Sequence, residues 1–229
     1  MGEQALADLL RFWSGLDEKT SRHPDDHVPE SLLPTLKLNA RPVPWCGNLA
    51  AAKVYVLMLN PGYREGEEQL ELEEPISSAL MRNLRAPDSF FYLSEEFERA
   101  EHPGWSYWES KLQLRSESDD TLRRRCLTDL CCLELVPYHS IDFDLLDPLV
   151  HRLKSTRLMK AFLWDYVMPR THEGVGVVVA RSARYWGLCA ADASESAFAA
   201  GHNIAIGATR SAWLSRNTEG GRLIRKLLL

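Results

Sequence analysis

The chain lacks the common signatures of nucleotide and cofactor chemistry. Its 229 residues hold no G-x-x-x-x-G-K-[ST] phosphate loop, no G-x-G-x-x-G, no G-x-S-x-G and no His-Glu-x-x-His. That disfavours the common nucleotide-binding enzymes, serine hydrolases and zinc proteases. Cysteine is scarce. The five present (Cys46, Cys126, Cys131, Cys132, Cys189) make an odd number with no C-x-x-C pair. Neither a disulfide framework nor a zinc or iron–sulfur site is expected, and no metal or organic cofactor is implied. Three of the five lie in apolar runs, where free cysteine acts as a small core residue. No apolar stretch reaches the ~18–20 residues of a membrane span. The segment Met1–Trp13 carries Glu3 and Asp8 rather than the basic start and apolar block of a signal peptide, so a cytoplasmic protein with no membrane partner is expected. Internal repeats and low-complexity segments are absent as well.

What is present is an ordinary globular composition, 45% hydrophobic and 26% charged, in a chain long enough for one sizeable core. A single domain over residues 1–229 is expected. Net charge is −5, which argues weakly against a partner as acidic as nucleic acid. The charge is uneven, however. Residues 64–101 hold eleven acidic and four basic side chains, whereas residues 201–229 hold five basic ones (Arg210, Arg216, Arg222, Arg225, Lys226) and only Glu219 opposite. Two solvated faces of opposite sign would account for this pattern without any partner.

Residues 1–45 read as a helix followed by a loop rich in Pro and His. Residues 64–115, acidic and aromatic, read as a helical insertion. Four short apolar runs read as buried strands: Lys53–Leu59, Cys131–Val136, Val175–Ala180 and Asn203–Ile206. Helices are expected between them, opening at Ser118-Asp119-Asp120, at Asp147-Pro148, over Ser155–Val167 and over Gly220–Leu229. Strands alternating with helices predict an α/β fold, a three-layer α/β/α sandwich around a four-stranded parallel sheet. The polar clusters Asn60-Pro61-Gly62-Tyr63, Pro137-Tyr138-His139-Ser140, Arg181-Ser182 and Thr209-Arg210-Ser211 all fall at strand carboxyl ends, which share one edge in a parallel sheet and form its usual ligand site.

The most informative of these is Asn60-Pro61-Gly62-Tyr63. Pro61 keeps Asn60 out of the αR region, and Gly62 permits a positive φ, so the chain turns as the strand ends. Leu59-Asn60-Pro61-Gly62-Tyr63 resembles the first motif of the uracil-DNA glycosylase superfamily, closest to the mismatch-specific uracil/thymine branch, where Ile-Asn-Pro-Gly supplies the catalytic Asn. Arg210-Ser211-Ala212-Trp213-Leu214-Ser215-Arg216 is similar to the Asn-Pro-Ser-Gly-Leu-Ser-Arg loop of that branch. Arg210 stands where the family has His or Asn. Ser211 and Trp213 replace its prolines or glycine. The likeness spans residues 45–229 and rests on these two motifs.

The resemblance implies a DNA glycosylase that flips a base out of the duplex and hydrolyses its N-glycosidic bond to leave an abasic site, in DNA repair or phage defence. Asn60 would position water at the sugar C1′, and Tyr63, Pro61 and Gly62 would wall the base. Leu214 would be an apolar wedge in the duplex. Arg210, Ser211, Ser215 and Arg216 would meet DNA, the arginines at phosphates or the base edge. His139 would stabilise the leaving base or contact a phosphate. Glu134 stands near the family's base-reading Asn. A carboxylate accepts from the cytosine N4 amine and repels uracil O4, which favours a modified cytosine; alternatively, Glu134 is a strand residue paired with Arg181. Trp45 lines the pocket or packs in the core, and Trp105–Trp108 is a nucleotide platform or a packed insertion. DNA is the expected partner of a monomer. Two other readings stay open: a non-catalytic module that binds a nucleotide or nucleic acid, and a hydrolase of small nucleosides or nucleotides.

Overall fold

The structure is a computed structural model that describes residues 2–17, 20–115, 119–180, 183–188, 203–207 and 214–229. In chain order its elements are α1 (Gly2–Ser14), β1 (Trp45–Gly47), β2 (Val54–Met58), α2 (Glu67–Leu72), α3 (Ile76–Arg85), α4 (Glu95–Arg99), α5 (Pro103–Leu112), α6 (Asp120–Asp129), β3 (Leu130–Glu134), α7 (Lys154–Phe162), α8 (Met168–Arg170), β4 (Gly176–Val179), α9 (Ala183–Trp186), β5 (Asn203–Ile206) and α10 (Glu219–Leu228).

The sheet has five strands in the order β1-β3-β2-β4-β5. β2 pairs in parallel with β3 (Met58 beside Glu134) and with β4 (Leu57 beside Val179), and β4 pairs in parallel with β5. β1 runs antiparallel to β3, with Cys46 opposite Cys132. This corrects the expected four-stranded, wholly parallel sheet: the sheet is mixed, and its fifth strand is an edge. Three residues, one of them Gly47, carry no periodicity of their own, so β1 is a strand only because β3 pairs with it. Gly47 is needed there, since its φ is 115° and an added Cβ would sit 2.8 Å from Cys131 Cα.

Every residue of β2 and β3 is buried, as strands covered on both faces require. Successive side chains feed two apolar clusters. Tyr55, Leu57, Leu133 and Val177 pack with Leu9 and Trp13 of α1 and with Met159 and Phe162 of α7. Val54, Val56, Cys132 and Val178 pack with Ile76 and Leu80 of α3, Trp108 of α5, Cys126 of α6 and Ile224 of α10. Trp108 also meets Phe90 edge to face, and Phe90, Phe91, Tyr92, Phe97 and Trp108 are packed in this cluster, whereas Trp105 is partly buried and Tyr107 is exposed.

Two helix expectations are corrected. Residues Asp144–Leu149 form a 3₁₀ turn with Pro148 inside it, because Pro148 has no N–H for a continuing helix. The segment expected over Ser155–Val167 is α7 followed by a π-helical turn at Leu163–Val167. Arg181 and Ser182 lie outside the described residues. The chain's last helix, α10, is capped by Thr218, whose side chain accepts from the Gly221 amide.

Candidate functional site

Backbone pairing continues past the strand ends. The Val136 amide donates to the Leu59 carbonyl at 2.8 Å and the Ser140 amide to Pro61 at 3.4 Å. These bonds draw Pro137–Ser140 alongside the Asn60 turn, as the parallel sheet edge demands. Asn60 is half-buried. Its Nδ2 donates to the Pro61 carbonyl at 2.8 Å and to Ser140 Oγ at 2.9 Å, and Ser140 Oγ donates on to the Asp142 carbonyl at 3.2 Å. A carbonyl only accepts, so the amide orientation is fixed: nitrogen inward, Oδ1 outward. Among the described residues, nothing donates to Oδ1. Ser140 was not singled out from the sequence, although it stands in a strand-end cluster.

Pro61 is buried and Gly62 exposed. Gly62 does not adopt the expected positive φ, and a Cβ placed on it would meet nothing within 4 Å. Its value lies in the open space beside the turn, not in backbone freedom. The half-buried Tyr63 donates its hydroxyl to Glu68 at 2.7 Å, and Lys37 Nζ lies 5.2 Å from its ring centre.

His139 is 1% exposed. Its Nδ1 bonds the Gly62 carbonyl at 2.7 Å, and its Nε2 faces Glu71 Oε1 at 3.7 Å. Enclosed in this way, it supports the Asn60 turn through the Gly62 carbonyl, and its ring is not open to solvent. Glu134 is buried at the carboxyl end of β3 and accepts a weak bond from Cys132 Sγ at 3.6 Å. It therefore lies on the cluster face that holds Cys132, one strand from β2.

Beneath the turn lies a group that the sequence reading missed. Glu67 and Glu71 stand four apart on α2, hence on one helical face, and with His102 they bring their ligand atoms within 4.8 Å of one another. All three and His139 are buried. His102 Nε2 is 3.9 Å from Glu67 Oε1. Burial raises the Glu71 carboxyl to about 7, and it raises Glu67 too, partly offset by His139. Burial also lowers His102 to about 4 and lowers His139, against an opposing pull from Glu67. The Tyr92 hydroxyl is raised by burial and then by Glu67, Glu71, Cys46 and Glu134. The available signal was Glu67-x-x-x-Glu71 in a helical stretch, but composition alone made these residues a solvated acidic face.

The second expected motif is only partly described: Arg210 and Ser211 lie outside the described residues. Leu214 is 2% exposed and belongs to the second core cluster. In this conformation it is core and not a projecting wedge, because the apolar faces of β4 and α10 cover it. Ser215 is buried, and its carbonyl accepts from the Thr218 amide and hydroxyl. Arg216 is exposed, with its amide on Gln113 Oε1 at 3.3 Å and its guanidinium 3.6 Å from Asp119. Trp45, fully buried, exchanges hydrogen bonds with Asn83 and so packs in the core. No described helix is long and apolar enough to cross a membrane. Comparison of the chain with protein-family models, with curated proteins and with solved structures gives no match in any of the three.

Proposed function

We propose that the chain is a DNA glycosylase of the uracil-DNA glycosylase kind, with the α/β/α layering of that superfamily. It would hydrolyse the N-glycosidic bond of a flipped, modified base, by preference a cytosine derivative, in DNA repair or phage defence. The observation that carries this reading is Asn60, whose amide nitrogen is held by Pro61 and Ser140 while Oδ1 is left to accept. An amide is a poor base, so the site works by placement. Oδ1 accepts a hydrogen from a water and aims its oxygen at C1′ as the bond to the base lengthens and the sugar gains positive character. The open side of Gly62 admits the sugar, and Tyr63 walls the base. Glu134 accepts from an exocyclic amine of the base, which favours cytosine-like edges over uracil. The exposed Arg216 supplies a phosphate contact, and Arg210 and Ser211 are assigned to DNA by the same resemblance.

The test is incubation of the protein with genomic DNAs carrying different cytosine modifications, followed by mass spectrometry of released bases. A base freed by wild type and not by Asn60→Ala is the expected result. Release of no base from any DNA overturns the enzyme reading. Undiminished binding by both proteins without release would identify a non-catalytic module. Release of uracil alone would overturn the role given to Glu134.

A further inference from the structure

We propose that Glu67, Glu71 and His139 bind one divalent first-row transition cation, zinc or manganese, with His102 beside Glu67 at 3.9 Å but outside the coordination sphere. The first support is the division of labour within each carboxylate. Glu67 Oε2 accepts from the Arg64 amide at 3.1 Å, and Glu71 Oε2 accepts from the Arg41 amide at 2.7 Å. Both side chains are thereby fixed, with Oε1 of Glu67 turned to His102 and Oε1 of Glu71 turned to His139, and the two carboxylates within 4.8 Å of each other.

The second support is the tautomer of His139. Its Nδ1 lies on the Gly62 carbonyl, which only accepts, so Nδ1 carries the hydrogen and Nε2 of the neutral ring is a lone pair. This is the usual backbone support of a metal-ligating histidine. That lone pair faces Glu71 Oε1 at 3.7 Å, and neither atom has a hydrogen-bond partner. Two acceptors facing each other in a buried place are unfavourable unless something positive joins them. At 3.7 Å a shared proton does not reach. One cation about 2.1 Å from each atom spans that separation at an angle of about 120°.

His102 is excluded as a ligand by the same logic. Its Nδ1 accepts from the Gly104 amide at 3.0 Å, so its Nε2 carries the hydrogen and points at Glu67. Two carboxylates neutralise a divalent charge, and a cation removes their mutual repulsion in a buried site. One imidazole among carboxylate oxygens suits zinc or manganese. Burial on all sides fits a cation that pins α2 to the His139 loop, and through Gly62 to the Asn60 turn.

The inference is independent of the glycosylase reading, because base release can fail while cation binding holds. The experiment is calorimetric titration of the chelator-treated full chain, free of any affinity tag, with zinc and with manganese, followed by melting with and without metal. One equivalent per chain and a raised Tm are expected for at least one of the two metals. Glu71→Gln and His139→Gln should each weaken binding about tenfold or more, whereas His102→Gln should keep one equivalent. Circular dichroism establishes that each variant is folded. Wild type decides the matter even if none of them is: no saturable binding of either metal up to about 1 mM overturns the proposal, as does wild-type affinity in folded Glu71→Gln and His139→Gln.

Discussion

Asn60 is held by two hydrogen bonds that its amide nitrogen donates. Asn60→Ala removes two hydrogen bonds at a half-buried position, so it should cost about 1 kcal/mol of stability while base release falls about a hundredfold or more. Measuring melting and released base on the same preparation separates the two effects; a matched loss of both would mean that Asn60 is structural. Glu71 offers a second test, done with chelator present. Its carboxyl is raised from 4.5 to about 7, so its contribution to folding is complete below about 4.5 and is lost as pH rises through about 7. His102, lowered from 6.5 to about 4, does the opposite, its contribution being present above 6.5 and lost as pH falls toward 4. The slopes oppose each other, and only a difference isolates one of them. Between pH 4.5 and 7, Glu71→Gln should gain on the order of 3 kcal/mol relative to wild type in urea unfolding. Parallel pH profiles for the two proteins would refute this.

At the scale of elements, two glycines make opposite predictions. Gly221 lies in the first turn of α10, packed so closely on the chain segment that leads into the helix that an added Cβ would collide with the Ser215 carbonyl and would meet the Leu214 oxygen at 2.5 Å. These are backbone atoms and cannot swing aside. Gly221→Ala should therefore destabilise by about 3 kcal/mol, visible as a Tm lowered by roughly 6–12 °C. Gly62→Ala should change stability by less than about 0.5 kcal/mol, since its Cβ meets nothing and its φ is ordinary. If the substrate approaches beside the turn, the same methyl should lower base release. Full activity in Gly62→Ala would place the substrate elsewhere.

For the whole molecule, charge is arranged differently from its order along the chain. The acidic flank turns Glu67 and Glu71 inward, and the basic tail ties Arg225 to the Leu112 carbonyl at 2.8 Å. Arg216, exposed beside Asp119, is the described tail residue to which the proposed function gives a phosphate contact. Arg216→Ala should weaken DNA binding at all sequences alike and reduce the salt slope of the logarithm of affinity by about 1. An unchanged slope in fluorescence anisotropy would remove Arg216 from the interface. The strands β2, β3, β4 and β5 were legible within a residue or two, because a continuous apolar run is a property of neighbours along the chain. So was the meeting of the Asn60 turn with Pro137–Ser140, which follows from parallel order; the Arg181 and Arg210 clusters expected at the same edge lie outside the described residues. The sequence by itself determined the α/β class, the buried strands and the position of Asn60 at a strand end. Tertiary structure alone decided the antiparallel β1, the burial of Leu214 and the meeting of Glu67 and Glu71 with His102 and His139. Those features depend on groups that only folding brings within reach: Cys46 with Cys132, the sheet with α10, and Glu71 with a histidine 68 residues further along the chain.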